Sequence, residues 1–205
     1  MQSSQQTIIN AFNSQTYVKS QMDVQHTPLY DTVTISAGGS VNNNTASFFT
    51  NVGSMSGKTL AQTNLGSNKE LQAPEAFSIF ALRLRVAENI YYADFENIMN
   101  GFALQFWIGN KWYNLAPIWH YNAGGGIWGT GAATTVASTT ITNWTNGTPG
   151  RESMHKLAIP IVIENKAQFF AQLVGNAYTL TASGSGGTGF TAQLLLDGLY
   201  ARGVQ

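Results

Sequence analysis

Residues 102–108 and 111–118 are two apolar-rich runs separated by Gly109-Asn110 alone. A two-residue turn of Gly and Asn matches the right-handed twist of paired strands, so this stretch predicts a β-hairpin. Trp107 and Trp112 flank the turn and are placed to pair across it, an arrangement that stabilises hairpins by itself. Parallel architectures need a helix after each strand, and the rest of the chain offers just one convincing helical stretch. Residues 93–100 have that character, with Gly101 as a stop signal.

The other segments read as strands. Residues 77–86 give the cleanest alternation, with Phe80, Leu82, Leu84 and Val86 on one face and Ala81, Arg83 and Arg85 on the other. Period two with one wet face is the mark of a half-buried antiparallel strand. Further strands are predicted over 29–35, ending at Gly38-Gly39, and over 47–52, 135–142, 157–163, 168–174, 177–182 and 189–199. Pro160 places the 157–163 strand at a sheet edge or a bulge, because proline donates no ladder hydrogen bond. In the last strand Phe190, Ala192, Leu194 and Leu196 face one way, and Gly198 marks a bulge. About eight to ten strands without a βαβ rhythm predict an all-β antiparallel sandwich or barrel. Neither an internal repeat nor a linker divides the chain. Residues 1–27 are expected to form an N-terminal arm in which Ile8 and Phe12 share a helical spacing, and residues 28–205 a single domain.

Charge narrows what such a domain does. Just 10% of the 205 residues are charged, against about 25% in an ordinary soluble domain. Ten basic residues balance ten acidic ones, so no electrostatic capture of nucleic acid or of an anionic membrane is expected. Charges are absent altogether from residues 32–57, 112–150 and 167–196. Exposed loops normally carry charge, which keeps molecules apart. Uncharged loop-like sequence bearing Trp119, Trp128 and Trp144 therefore suggests surfaces that become covered, since interface centres are rich in aromatics and poor in Lys, Glu and Asp. Arg83 and Arg85 are read as solvated or paired at a subunit contact.

Catalytic constellations are not apparent. With no cysteine, disulfides and thiolate chemistry are excluded. His26, His120 and His155 lack metal-ligand spacing. Asp94 and Glu96 lie two apart, so on a helical turn they point apart, and they are read as favouring the helix start. There is no nucleophile elbow, and the glycine-rich segments lack the Lys-Ser/Thr of a phosphate loop. Neither an enzyme nor a cofactor is expected. Asn43, Asn143 and Asn146 fit the glycosylation sequon, as chance allows in a chain so rich in Asn and Thr. The tryptophans, with Tyr113 and Tyr121, leave a sugar-stacking platform open as the rival reading.

Several runs carry a family likeness. They are Leu29-Tyr30-Asp31-Thr32-Val33-Thr34-Ile35 with Phe48-Phe49-Thr50-Asn51, and Gly57-Lys58-Thr59-Leu60-Ala61-Gln62-Thr63-Asn64-Leu65 with Leu71-Gln72-Ala73-Pro74-Glu75-Ala76-Phe77. Ile108-Gly109-Asn110-Lys111 and Leu115-Ala116-Pro117 complete the pattern. Over residues 29–120 the chain resembles jelly-roll capsid or capsid-associated proteins of bacteriophages. The resemblance implies a single jelly roll, made in the host cytoplasm and incorporated into the virion. Its partners would be copies of itself, as a trimer or pseudo-hexameric capsomer, and other virion proteins. No catalytic residue carries over. Ile8, Phe12, Arg83, Arg85, Trp119, Trp128 and Trp144 are the candidate assembly contacts, and a carbohydrate- or receptor-binding virion appendage is the alternative.

Overall fold

The computed structural model describes residues 22–53, 56–86, 90–124, 128–131, 142–147, 156–182 and 189–203. In chain order its strands are β1 (Met22–His26), β2 (Leu29–Ile35), β3 (Ser40–Val41), β4 (Ser47–Phe48) and β5 (Ala76–Val86). Helix α1 (Tyr92–Gly101) follows, then β6 (Phe102–Ile108), β7 (Lys111–Pro117) and a 3-10 turn (Ile118–Tyr121). The chain ends with β8 (Trp128–Gly131), β9 (Thr142–Thr145), β10 (Lys156–Ile163), β11 (Phe169–Gly175), β12 (Tyr178–Thr179) and β13 (Phe190–Gly203).

All strand pairs are antiparallel. β1 and β2 lie end to end along one edge of β13, and β5 then β10 continue that sheet on the other side. The second sheet has the order β4-β11-β6-β7. The orders β2-β13-β5-β10 and β4-β11-β6-β7 are those of the two sheets of a jelly roll. β2 and β4 meet at one flank of the sandwich, which leaves β7 and β10 as the edges of the other.

The core fills the space between the sheets. Phe190, Ala192, Leu194 and Leu196 of β13 all point into it and are fully buried, as their alternation predicts. Phe102, Leu104 and Phe106 of β6 face them, with Phe169, Ala171 and Leu173 of β11. Phe169 lies 5.3 Å from Phe49 and 6.4 Å from Phe106, ring to ring. Each such aromatic contributes about 1.5–3 kcal/mol by leaving water.

One phase change corrects the sequence reading. Phe80 was expected beside Leu82 and Leu84 on the core face, yet Ile79 is fully buried there and Phe80 is half-buried. β5 and β13 shift register between Asp197 and Gly198, whose partners are Ala81 and Ile79. The skipped Phe80 is the extra residue of a bulge, and a bulge flips every residue beyond it to the opposite face. Gly198 does mark the irregularity: a Cβ there would run into the backbone carbonyl of Ser78 and meet the Phe77 ring at 2.9 Å. Pro160 also lies where expected, in an edge strand whose register against β5 shifts between Lys156 and Ile161.

Other boundaries differ. The segment expected as a strand over 47–52 is just Ser47–Phe48, and that over 177–182 is Tyr178–Thr179. The last strand reaches Gly203 rather than residue 199. The 135–142 segment lies almost wholly outside the described residues, where only Thr142 enters β9. The arm assigned to residues 1–27 ends in β1, which pairs with β13 and so belongs to the domain.

Buried polar groups fasten the peripheral elements. Asp94 in the first turn of α1 is fully buried and accepts hydrogen bonds from the Tyr178 hydroxyl (2.8 Å), the Thr181 hydroxyl (2.9 Å) and the Thr181 amide (3.1 Å). It is a tether between helix and strand, while Glu96 is exposed. Burial, then the hydrogen bond and charge of Asp94, push the Tyr178 hydroxyl above its ordinary pKa. Asp94→Asn keeps the shape but turns an amide N–H2 toward the same donors. It is expected to cost about 1–3 kcal/mol, read as a lower urea midpoint at unchanged slope. Asn146 is likewise fully buried, accepting from the Val86 amide at 2.9 Å and donating to the Leu84 carbonyl. It pins the end of the β8–β9 ribbon to β5.

Candidate assembly surface

The two sheets turn very different outer faces to solvent. On the first, Arg83 and Asp197 form a two-pronged ion pair with one contact at 2.7 Å, each side chain about one-tenth exposed. The 57–66 loop roofs part of this face: the Thr32 hydroxyl donates to the Gln62 carbonyl at 2.8 Å and the Gln193 amide to the Ala61 carbonyl at 2.9 Å. The Tyr30 hydroxyl donates to the Leu60 carbonyl. Beneath the loop, fully buried Asp31 accepts from the Phe49 amide and from Lys58 Nζ, both at 2.7 Å. Phe49 has φ +64°, a conformation unfavourable for a side chain this bulky, and its amide is held there by the Asp31 carboxylate.

No charged residue of β4, β11, β6 or β7 occupies the outer face of the second sheet. Residues that are cross-strand partners share a face, so the register places Gln172 beside Gln105, Phe170 beside Trp107, Trp107 beside Trp112, and Leu115 beside Gln105. Trp107 stacks parallel to Phe170, centroids 6.0 Å apart, and Lys69 Nζ lies over Phe170 at 5.0 Å. Gln172 donates to Gln105 at 3.2 Å. Trp112 is 57% exposed, Leu115 47% and Val174 36%. A solvated sheet face normally carries polar and charged residues; this one presents aromatic, aliphatic and amide groups.

The free edges of the sandwich differ in the same sense. β10 carries Pro160 and a register shift, two devices that blunt a sheet edge. β7 pairs with β6 and, among the described residues, with no further strand. After Lys111 it has no charge and exposes Trp112, Tyr113 and Leu115. Just beyond it, Ile118 and Tyr121 are buried and anchor the 3-10 turn, leaving Trp119 57% exposed.

Among the candidate contacts, Trp119 is thus on the uncharged surface. Trp128 and Trp144 lie on paired strands rather than in loops, as facing β8 and β9 residues one register step apart; their side chains are outside the described residues, as are Ile8 and Phe12. Arg83 pairs with Asp197 within the chain, a partner the sequence reading did not name. Arg85 borders a shallow polar groove on the roofed face with Thr32, Gln62 and Gln193. The sequence reading missed Leu115, Val174, Gln105 and Gln172. Their signal was the outward set of the β6 and β11 alternations, which holds no charge at all.

Among the described residues no three His, Asp or Glu side chains gather into a metal-binding group, and no helix is long and apolar enough to cross a membrane. Comparison with protein-family models, with curated proteins and with solved structures finds no match.

Proposed function

We propose that the chain is a non-enzymatic building block of a bacteriophage capsid, which works by packing against copies of itself and other virion proteins in capsomers. The observation that carries this reading is the outer face of the second sheet, to which its own strands contribute no charge although Lys69 lies over Phe170, continuous with the charge-free part of β7 beyond Lys111. A surface so poor in charge has little repulsion to keep molecules apart, and its aromatic and amide composition is that of an interface centre. The jelly-roll fold suits the role but does not define it, because the same architecture also serves lectins and cupins.

Sugar binding by the aromatic row is the rival, and the ring geometry counts against it. A sugar stacks on an open ring face. Here Phe170 has Trp107 parallel to it and Lys69 over it, so this pair offers no open stacking platform, and the exposed rings are Trp112, Tyr113 and Trp119.

The test is mass photometry of the purified chain across concentration, with negative-stain imaging. Discrete trimers, hexamers or closed shells are expected. Trp112→Asp and Leu115→Asp each place a charge where an interface would desolvate it, at a cost of several kcal/mol. Both variants are expected to stay monomeric with thermal midpoints within a few degrees of the parent, since both sites are exposed in the single chain. A parent chain that remains monomeric at every concentration, or a Trp112→Asp variant that assembles normally, overturns the reading. Glycan-array binding by the isolated monomer would favour the appendage instead.

A further inference from the structure

We propose that β1 is an exchangeable strand: in the assembled protein it leaves its own domain and pairs with residues 199–203 of β13 in a second copy. This rests on the self-association proposed above and specifies one link by which copies are joined.

The first support is how weakly β1 is held. Its register partners are Met22 with Gly203 through His26 with Leu199, and its ladder runs to β13 alone. None of Asp23, Val24, Gln25 and His26 belongs to the hydrophobic core. Val24 is 50% exposed, and Gln25 and His26 are exposed as well. The side-chain tie to β13 is the Arg202–Asp23 ion pair at 3.2 Å, roughly half exposed on both sides, and exposed pairs of this kind contribute little. β2, by contrast, is locked by buried Leu29, Val33 and Ile35 and by Asp31.

The second support is the joint. β1 and β2 keep one register along β13, and the strand breaks at Thr27-Pro28. Proline has no N–H to give to a ladder, which suits residue 28 to a break between the two strands. The break faces Asp197 and Gly198, the β13 residues opposite the bulge that β5 carries at Phe80. β1 can therefore swing out at residues 27 and 28 while β2 and the core stay in place.

The third support is the surface left behind. Residues Leu199, Tyr200 and Ala201 remain paired to Ser78, Phe77 and Ala76 of β5 on their other side. Without β1 they form an ordered open edge that the β1 of another copy fits residue for residue, remaking the Asp23–Arg202 pair. Exchange of an identical element creates no new contact and loses none, which makes it a low-cost route to association. Its equilibrium is then set by the surfaces that bring copies together.

The chain has no cysteine, so a Cys pair reports the pairing directly. Asp23→Cys/Arg202→Cys replaces two exposed partners, and the full-length variant is assembled, oxidised or bridged with a short bis-maleimide, then denatured. Covalent dimers and higher multiples on a non-reducing gel are expected. Assembly of separately prepared Asp23→Cys and Arg202→Cys chains should yield the cross-linked pair of the two. Particles that assemble but contain intrachain bonds alone overturn the exchange and leave self-association standing. A chain that is monomeric at every concentration, with intrachain bonds alone, overturns both.

Discussion

Lys58→Met is expected to destabilise the fold by about 3–5 kcal/mol, because it strips the cation from a carboxylate that has no access to water. Asp31 is fully buried and Lys58 Nζ sits 2.7 Å from it. The Phe49 amide would then be left donating to a buried negative charge that has lost its counter-ion. Asp31→Asn removes the charge while keeping an oxygen for that amide, so adding it to Lys58→Met should recover most of the loss. Urea unfolding of the parent, both single variants and the double variant measures this as a coupling energy. A Lys58→Met variant within 1 kcal/mol of the parent would show that water reaches Asp31. Because Lys58 adds an ion pair to the hydrogen bonds that hold the roofing loop, the single variant should also make the 57–66 segment more open to proteolysis.

Gly198→Ala is the second large effect, expected at about 3 kcal/mol, the upper part of the range for overpacked cores. The added methyl meets a backbone carbonyl, that of Ser78, and the ring of Phe77. Neither can move aside cheaply, since both strands are fixed by the longest ladder in the molecule. Gly109→Ala is the control. Gly109 has φ +56° but open space around it, so the variant should lose only about 1–2 kcal/mol from the left-handed backbone. Equal losses at the two glycines would mean that the bulge relaxes and that β5 and β13 are less closely apposed.

Those two sites also show what the sequence could and could not convey. The hairpin around Gly109-Asn110 and the inward face of β13 are local facts: a turn type and an alternation, each complete within one segment. The bulge is not local. Phe80 and Ile79 exchange faces because of a glycine 118 positions away on the partner strand, and nothing near Phe80 announces it. Asp31 is hidden in the same way, as one polar residue in an otherwise ordinary strand whose partner comes from a loop. β1 escaped notice because a polar strand outside the core has no apolar period to detect.

The candidate surface was half legible. The absence of charge from residues 112–150 and 167–196 pointed to covered surfaces, but that absence was attributed to loops. The register shows that much of it belongs to a sheet face assembled from β6, β7 and β11, which are scattered through the sequence. The intrachain partner of Arg83 was hidden for the same reason, since Asp197 lies far along the chain and β5–β13 pairing brings the two together.

Asn146 bears on how long such a protein stays chemically intact. It precedes Gly147, and Asn-Gly is the dipeptide most prone to spontaneous deamidation, because an unhindered glycine amide nitrogen can attack the neighbouring side-chain carbonyl and expel ammonia. Here that carbonyl accepts from the Val86 amide and the side-chain nitrogen donates to Leu84. Swinging the side chain into the ring-closing geometry would require breaking both bonds inside a site with no water to replace them. The staple that fixes the ribbon to β5 therefore also slows an ageing reaction, and loss of ammonia at residue 146 should follow the rate at which the ribbon detaches.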